Sequence, residues 1–113
     1  MIYERSNHLK LSQLLVLVAV TDYGSFSEAA LQLQMSQSAV SYAIATLEEE
    51  LGVVLFLRGR YGANLTPVGQ QIVERARQIL SLIDDISKQA EFAKGLKGGQ
   101  VRISSFRSAA THI

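Results

Sequence analysis

The sequence has no cysteine, no tryptophan, one proline and two histidines in 113 residues. Without cysteine there is neither a disulfide nor a thiolate metal site. His8 and His112 stand near opposite ends, with no second ligand at metal spacing beside either. No apolar run reaches the ~18–20 residues that a membrane span needs. The opening MIYERSNH is too polar for a signal peptide, so a reducing, cytoplasmic setting is the expectation. There is also no nucleophile–His–acid set and no metal cluster. GRYGA carries two glycines but lacks the lysine and following helix of a phosphate loop. An enzyme is therefore not expected.

Positive charge is scarce where it would matter most. The net charge is +1. Residues 1–66 hold four Lys/Arg (Arg5, Lys10, Arg58, Arg60) against six Asp/Glu, and residues 67–113 hold seven against four. Charge alone does not point to a nucleic-acid partner.

What is present is helical periodicity and clear punctuation. With 48% hydrophobic residues the chain can bury a core. A first helix is expected from about Leu9 to Tyr23, with Leu11, Leu14, Leu15, Val18 and Ala19 on its buried face and Gly24 as its stop. Ser25 and Glu28 have capping-box spacing and open a second helix to about Gln34. Its Ala29–Ala30 pair allows close approach by a neighbour.

Ser36 is an N-cap for a third helix. Val40, Ile44, Leu47 and Leu51 step by four, three and four along one stripe, and Gly52 ends the helix. The connection around Gln34–Ser36 is short, with Met35 expected to turn inward. Two short helices so joined fit a helix-turn-helix.

The apolar run Val53–Leu57 has strand length. Gly59 and Gly62 flank Arg60-Tyr61, and Asn64–Thr66 can pair back, which makes a small hairpin, or wing. Thr66-Pro67 then caps and opens a long helix to about Lys94. Ile72, Ala76, Ile79, Ile83, Ile86, Ala90 and Ala93 alternate steps of four and three, a heptad seam. A helix of ~28 residues is ~42 Å long, more than a 60-residue domain covers. A second chain's helix is the simplest partner for the remainder, although Val68, Ile72 and Val73 can pack back at its start. Arg75, Arg77, Lys88 and Lys94 read as solvated flanks. After Gly95-Leu-Lys-Gly-Gly, the alternating Gln100–Ser105 reads as the first strand of a further domain.

GSFSEAA (Gly24–Ala30), SQSAVS (Ser36–Ser41), LEEELGVVLF (Leu47–Phe56), Arg58 and LTPVG (Leu65–Gly69) together resemble the N-terminal region of a LysR-type transcriptional regulator. The resemblance runs over about residues 9–105. It implies a mainly α fold: a winged helix-turn-helix DNA-binding domain (1–66), a dimerising linker helix (67–95), and a hinge with the start of an effector-binding domain (96–113). It further implies double-stranded DNA and a second copy as partners, RNA polymerase as a further one, tetramers in full-length assemblies, and no cofactor within this stretch. A small-molecule inducer would bind the following domain. The family often has proline where this chain has Ser38 and arginine where it has Tyr42. Its second wing arginine falls where Tyr61 stands, with Arg60 one position early.

On this reading the N-terminal part of the third helix enters the major groove. Gln37, Ser38, Ser41, Tyr42 and Ala45 lie off the buried stripe and suit base edges or the thymine methyl. The free N–H groups at Ser36 favour a phosphate. Arg58 and Arg60 can reach the backbone or minor groove from the wing. Ser27 and Gln32 are candidates for phosphates, while Ser25 is a cap and Thr66 is structural. Glu48–Glu50 must then be held away from the DNA backbone. The competing reading is a winged-helix protein-interaction module that does not read DNA, favoured by the negative charge of residues 1–66.

Four basic residues per head limit a two-headed complex to roughly eight phosphate contacts, so log affinity against log salt should have a slope no steeper than about −7. A titration series across salt concentrations checks this, and a much steeper slope is the contrary result.

Overall fold

The computed structural model of the chain describes residues 9–59 and 62–97. In order these form α1 (Leu11–Tyr23), α2 (Phe26–Leu33), α3 (Gln37–Leu51), β1 (Phe56–Gly59), β2 (Gly62–Leu65) and α4 (Pro67–Lys97). The expected lead-in at 1–8, the wing tip at 60–61 and the strand at 100–105 lie outside the described residues. Two compact units divide at Arg77/Gln78, so the opening turns of α4 belong with the first unit.

The helix ends follow the sequence punctuation. Ser25 Oγ accepts from the Glu28 N–H at 3.0 Å, and Ser36 Oγ accepts from the Ala39 N–H at 3.0 Å. Gly24 and Gly52 close α1 and α3 in the left-handed conformation. α1 and α2 bend by 119° at their break. Among the described residues, no single helix is long and apolar enough to cross a membrane. α2 buries Ala29 and Ala30, which bring it close to α1 and α3. Gln34 then turns the chain with φ 58°, its N–H bonding back to Ala30 and Leu31. The Met35 N–H bonds to the Ala30 carbonyl at 2.9 Å.

Val40, Ile44 and Leu47 of α3 are fully buried. They meet Leu14, Val16, Leu17, Ala19 and Val20 from α1, with Leu55, Phe56, Val73 and Ala76 completing the core. The buried face of α1 differs from the expected one. Leu11 and Leu15 are exposed, whereas Val16, Leu17 and Val20 are buried. LLVLVAV is apolar on nearly every side, so its periodicity does not select a face. Met35 is 37% exposed rather than turned inward, because the left-handed Gln34 redirects the chain before it.

The strand of the wing starts later than the apolar run suggested. β1 pairs antiparallel with β2, with Phe56 opposite Leu65, Leu57 opposite Asn64, Arg58 opposite Ala63 and Gly59 opposite Gly62. Val53–Leu55 form a loop in which Leu55 enters the core, Val53 packs against it and Val54 is exposed. Phe26 meets the Phe56 ring edge-on at 5.6 Å between centroids.

Polar contacts fix the wing to the helices. Glu48 Oε2 accepts from the backbone N–H groups of Leu55 (2.8 Å) and Phe56 (3.3 Å). Thr66 Oγ1 accepts from the Gly69 N–H at 3.0 Å as the α4 cap and donates to the Val54 carbonyl at 2.7 Å. The Thr66 N–H bonds to the Leu55 carbonyl at 2.9 Å. Gly69 is required here, since a Cβ on it would run into the Leu55 carbonyl oxygen. Among the described residues, no buried side-chain nitrogen or oxygen lacks a partner.

Arg77 is exposed, as expected of a solvated flank, and also makes an ion pair. Its guanidinium donates to both Asp22 oxygens, at 2.6 and 3.3 Å, joining α4 to the end of α1. That hydrogen bonding holds the Arg77 pKa above its ordinary value.

Removing the Glu48 carboxylate leaves two backbone donors unpaired. Glu48→Ala should cost about 2 kcal/mol of unfolding free energy. Glu48→Gln, whose amide oxygen still accepts, should cost about half of that. Urea unfolding monitored by circular dichroism measures both, and equal losses would contradict the assignment.

Candidate nucleic-acid interface

α3 has one dry face and one bare face. Away from Val40, Ile44 and Leu47, the side chains of Ser38, Tyr42 and Ala45 are exposed and Ser41 is half-buried on the flank, while Gln37 is exposed in the first turn, in line with the buried stripe. Tyr42 is 72% exposed and protrudes from the middle of this surface. Of the expected contact residues of α3, Ser38, Tyr42 and Ala45 share one open surface with Ser41 at its edge, and Gln37 stands at the exposed N-terminal turn.

Ser36 sits at that terminus with its hydroxyl in use. Besides capping Ala39, it lies 3.2 Å from the Ser38 hydroxyl. Ser25 and Ser27 of α2 repeat the arrangement at 3.4 Å. Both helices therefore begin with a capping serine linked to an exposed serine two residues on. The arrangement concentrates hydroxyl donors and backbone N–H groups where the helix dipole favours an anion. Ser27 and Gln32 are exposed on α2. The Gln32 amide donates to Glu28 at 3.3 Å, so a phosphate would compete with that carboxylate for it.

On the wing, Arg58 occupies β1 opposite Ala63. Its side chain, and all of Arg60, lie outside the described residues. Of the acidic run, Glu48 is turned to the wing entry, while Glu49 and Glu50 are exposed at the far end of α3 from Ser36. In the sequence the three glutamates look alike. Glu48 is distinguished only by where the chain returns seven residues later.

A second missed residue is Gln13. It is 6% exposed, and its Nε2 donates to Thr46 Oγ1 of α3 at 3.0 Å. A glutamine two residues into an apolar helix gives little sign in sequence of burial.

The expected seam divides at the unit boundary. Ala76 is 1% exposed and Ile72 packs against the first unit's core. Both are committed to their own chain, which removes Ala76 from any helix–helix seam. In the second unit, Ile79, Ile83, Ile86, Ala90 and Ala93 are exposed, as is Leu82 beside them. Lys88 pairs with Asp84 at 2.9 Å and Lys94 with Glu91 at 3.3 Å along the same helix.

A recognition helix after a tight turn, a two-stranded wing and a long following helix define a winged helix-turn-helix DNA-binding domain. Residues 11–70 match the bacterial regulatory helix-turn-helix protein, lysR family, and the chain belongs to that family. It is 55% identical over 105 residues to the "Probable HTH-type transcriptional regulator LrrA" of Synechococcus elongatus, covering 93% of this chain and 36% of that protein. The chain thus spans about a third of the length of such relatives. Among solved structures it is similar to the DNA-binding domain of CbnR in complex with DNA, at 34% identity and a TM-score of 0.71, covering 76% of this chain and 99% of that one. The BenM DNA-binding domain with benA site 1 DNA gives 34% identity and a TM-score of 0.73, covering 76% and 97%.

Because Tyr42 and Gln37 are exposed, replacing either with alanine should leave unfolding free energy within about 0.5 kcal/mol. If Tyr42 meets a base, Tyr42→Ala should weaken binding to a preferred duplex by about 1–3 kcal/mol. Fluorescence anisotropy on preferred and scrambled duplexes checks this; equal weakening on both would assign Tyr42 to the backbone instead.

Proposed function

We propose that this chain binds double-stranded DNA selectively, as a homodimer on two half-sites related by approximate two-fold symmetry, within a transcriptional regulator. The N-terminal half of α3 enters the major groove, and the wing lies against the flanking backbone or minor groove. The observation that carries this reading is the division of α3. Three fully buried side chains commit one face to the core, and a Ser/Tyr/Ala surface is left open on the other, with Gln37 exposed at the N-terminal turn. The CbnR and BenM domains are found with DNA, and the likeness to them over nearly their whole length supports the same mode here.

In this proposal residues 1–66 are the DNA-binding head, 67–95 the linker helix, and 96–113 the hinge and start of an effector-binding domain. The second copy is met through Ile79, Ile83, Ile86, Ala90 and Ala93, whose apolar surface is open in the single chain. The small-molecule inducer belongs to the following domain, and RNA polymerase and a full-length tetramer to the complete regulator in the cytoplasm.

Selection of duplexes from a random DNA pool by the 113-residue chain, at two salt concentrations, tests the reading. An enriched interrupted palindrome is expected, and its period gives the separation of the two heads. A folded, dimeric chain that enriches nothing would overturn it in favour of a protein-interaction module.

A further inference from the structure

Gln13 is the one strongly buried amide in the core of the first unit's described residues. Its hydrogen bonds form a directed chain. The Lys10 N–H donates to Gln13 Oε1 at 2.9 Å. Gln13 Nε2 donates to Thr46 Oγ1 at 3.0 Å, and Thr46 Oγ1 donates to the Ala43 carbonyl at 3.0 Å. Each donor meets an acceptor, so the amide has one orientation. Reversing it would set its NH2 group against the Lys10 N–H.

The position of Thr46 on α3 gives this chain its consequence. Thr46 is half-buried and lies one turn beyond Tyr42, on the margin between the buried stripe and the open face. The stripe of Val40, Ile44 and Leu47 holds α3 by apolar contact, which is strong but weakly directional. Close packing resists a large roll, but at a side-chain radius of ~5–6 Å a roll of only about 10° moves the tips by about 1 Å, enough to stretch a base-edge hydrogen bond beyond its useful range. The Gln13–Thr46 bond is directional and ties the margin of the open face to the first turn of α1. The Oε1 end of Gln13 takes up the N-cap N–H of Lys10 and so secures the start of α1, whereas the Nε2 end crosses to α3, where its contribution is orientation.

We infer that Gln13 is a positioning residue for DNA reading, acting through Thr46 to fix the roll of α3. The inference rests on α3 being the helix that reads the groove. Gln13 itself is buried and acts from beneath the open surface rather than on it.

The test compares the 113-residue chain with Gln13→Met, Thr46→Val, Thr46→Ser and the Gln13→Met/Thr46→Val pair. Each is assayed on its selected duplex and on a scrambled duplex of equal length, at one salt concentration, after unfolding curves have been recorded. Gln13→Met and Thr46→Val should each lower the specific-to-scrambled affinity ratio about tenfold and leave scrambled-duplex affinity within about twofold. Thr46→Ser keeps the hydroxyl and should keep the ratio. The double variant should lose no more than either single one, since both remove the same bond. Folded variants that keep the parent's ratio, additive losses in the pair, or a Thr46→Ser ratio as low as that of Thr46→Val would overturn the inference. A parent chain with no preference for any duplex would instead overturn the groove-reading role of α3, and this inference with it.

Discussion

Val40, Ile44 and Leu47 never meet solvent, and much of the first unit serves to keep them covered. Burying each contributes about 1.5–3 kcal/mol. Their joint effect is to commit one side of α3 to the core and leave its opposite side with nothing to do inside the molecule. α1 supplies the floor through Val16, Leu17 and Val20, and α2 closes in through two alanines. The wing entry adds Leu55 and Phe56, and α4 adds Val73 and Ala76. An exposed polar surface on so firmly seated a helix can meet a partner without first being ordered, which lowers the cost of binding.

Apolar contact alone would leave the parts free to slide, and a few polar links remove that freedom. Thr66 joins the wing entry to the start of α4. Glu48 joins the last turns of α3 to the same entry. Gln13 joins α1 to α3, and Arg77 joins α4 to α1 through Asp22. The Arg77 pair is largely exposed and contributes at most about 1 kcal/mol; its use is in orientation. All four links cross between elements, and each has its partner set by tertiary structure.

That distinction explains what was legible in the sequence. Helix ends could be read because their signals are local: Ser25, Ser36 and Thr66 cap within three residues of themselves, and glycine closes α1 and α3. The α3 stripe could be read because its other face is polar. The buried face of α1 could not, because Leu11 and Leu15 are as apolar as the residues that do go inside. The start of the wing is masked in sequence because Val53 and Leu55 are apolar for the core's sake rather than for a strand's, with the exposed Val54 between them continuing the run. Ala76 continued the heptad rhythm of Ile79 and Ile83, but its neighbours are in its own chain. Glu48 and Gln13 carry no local mark of the residues they bond. On the open face, residue types and exposure were both legible, whereas the two wing arginines have no described side-chain placement against which to judge them.

The central claim is that α3 presents its open face to the major groove. Methylation interference on a selected duplex tests it directly, because dimethyl sulfate modifies guanine N7 in the major groove and adenine N3 in the minor groove. Loss of binding on guanine N7 methylation, in two windows related by two-fold symmetry, is the predicted result, with any adenine N3 interference confined to positions flanking those windows where the wing would lie. Interference from adenine N3 alone, or from neither position, would contradict the account.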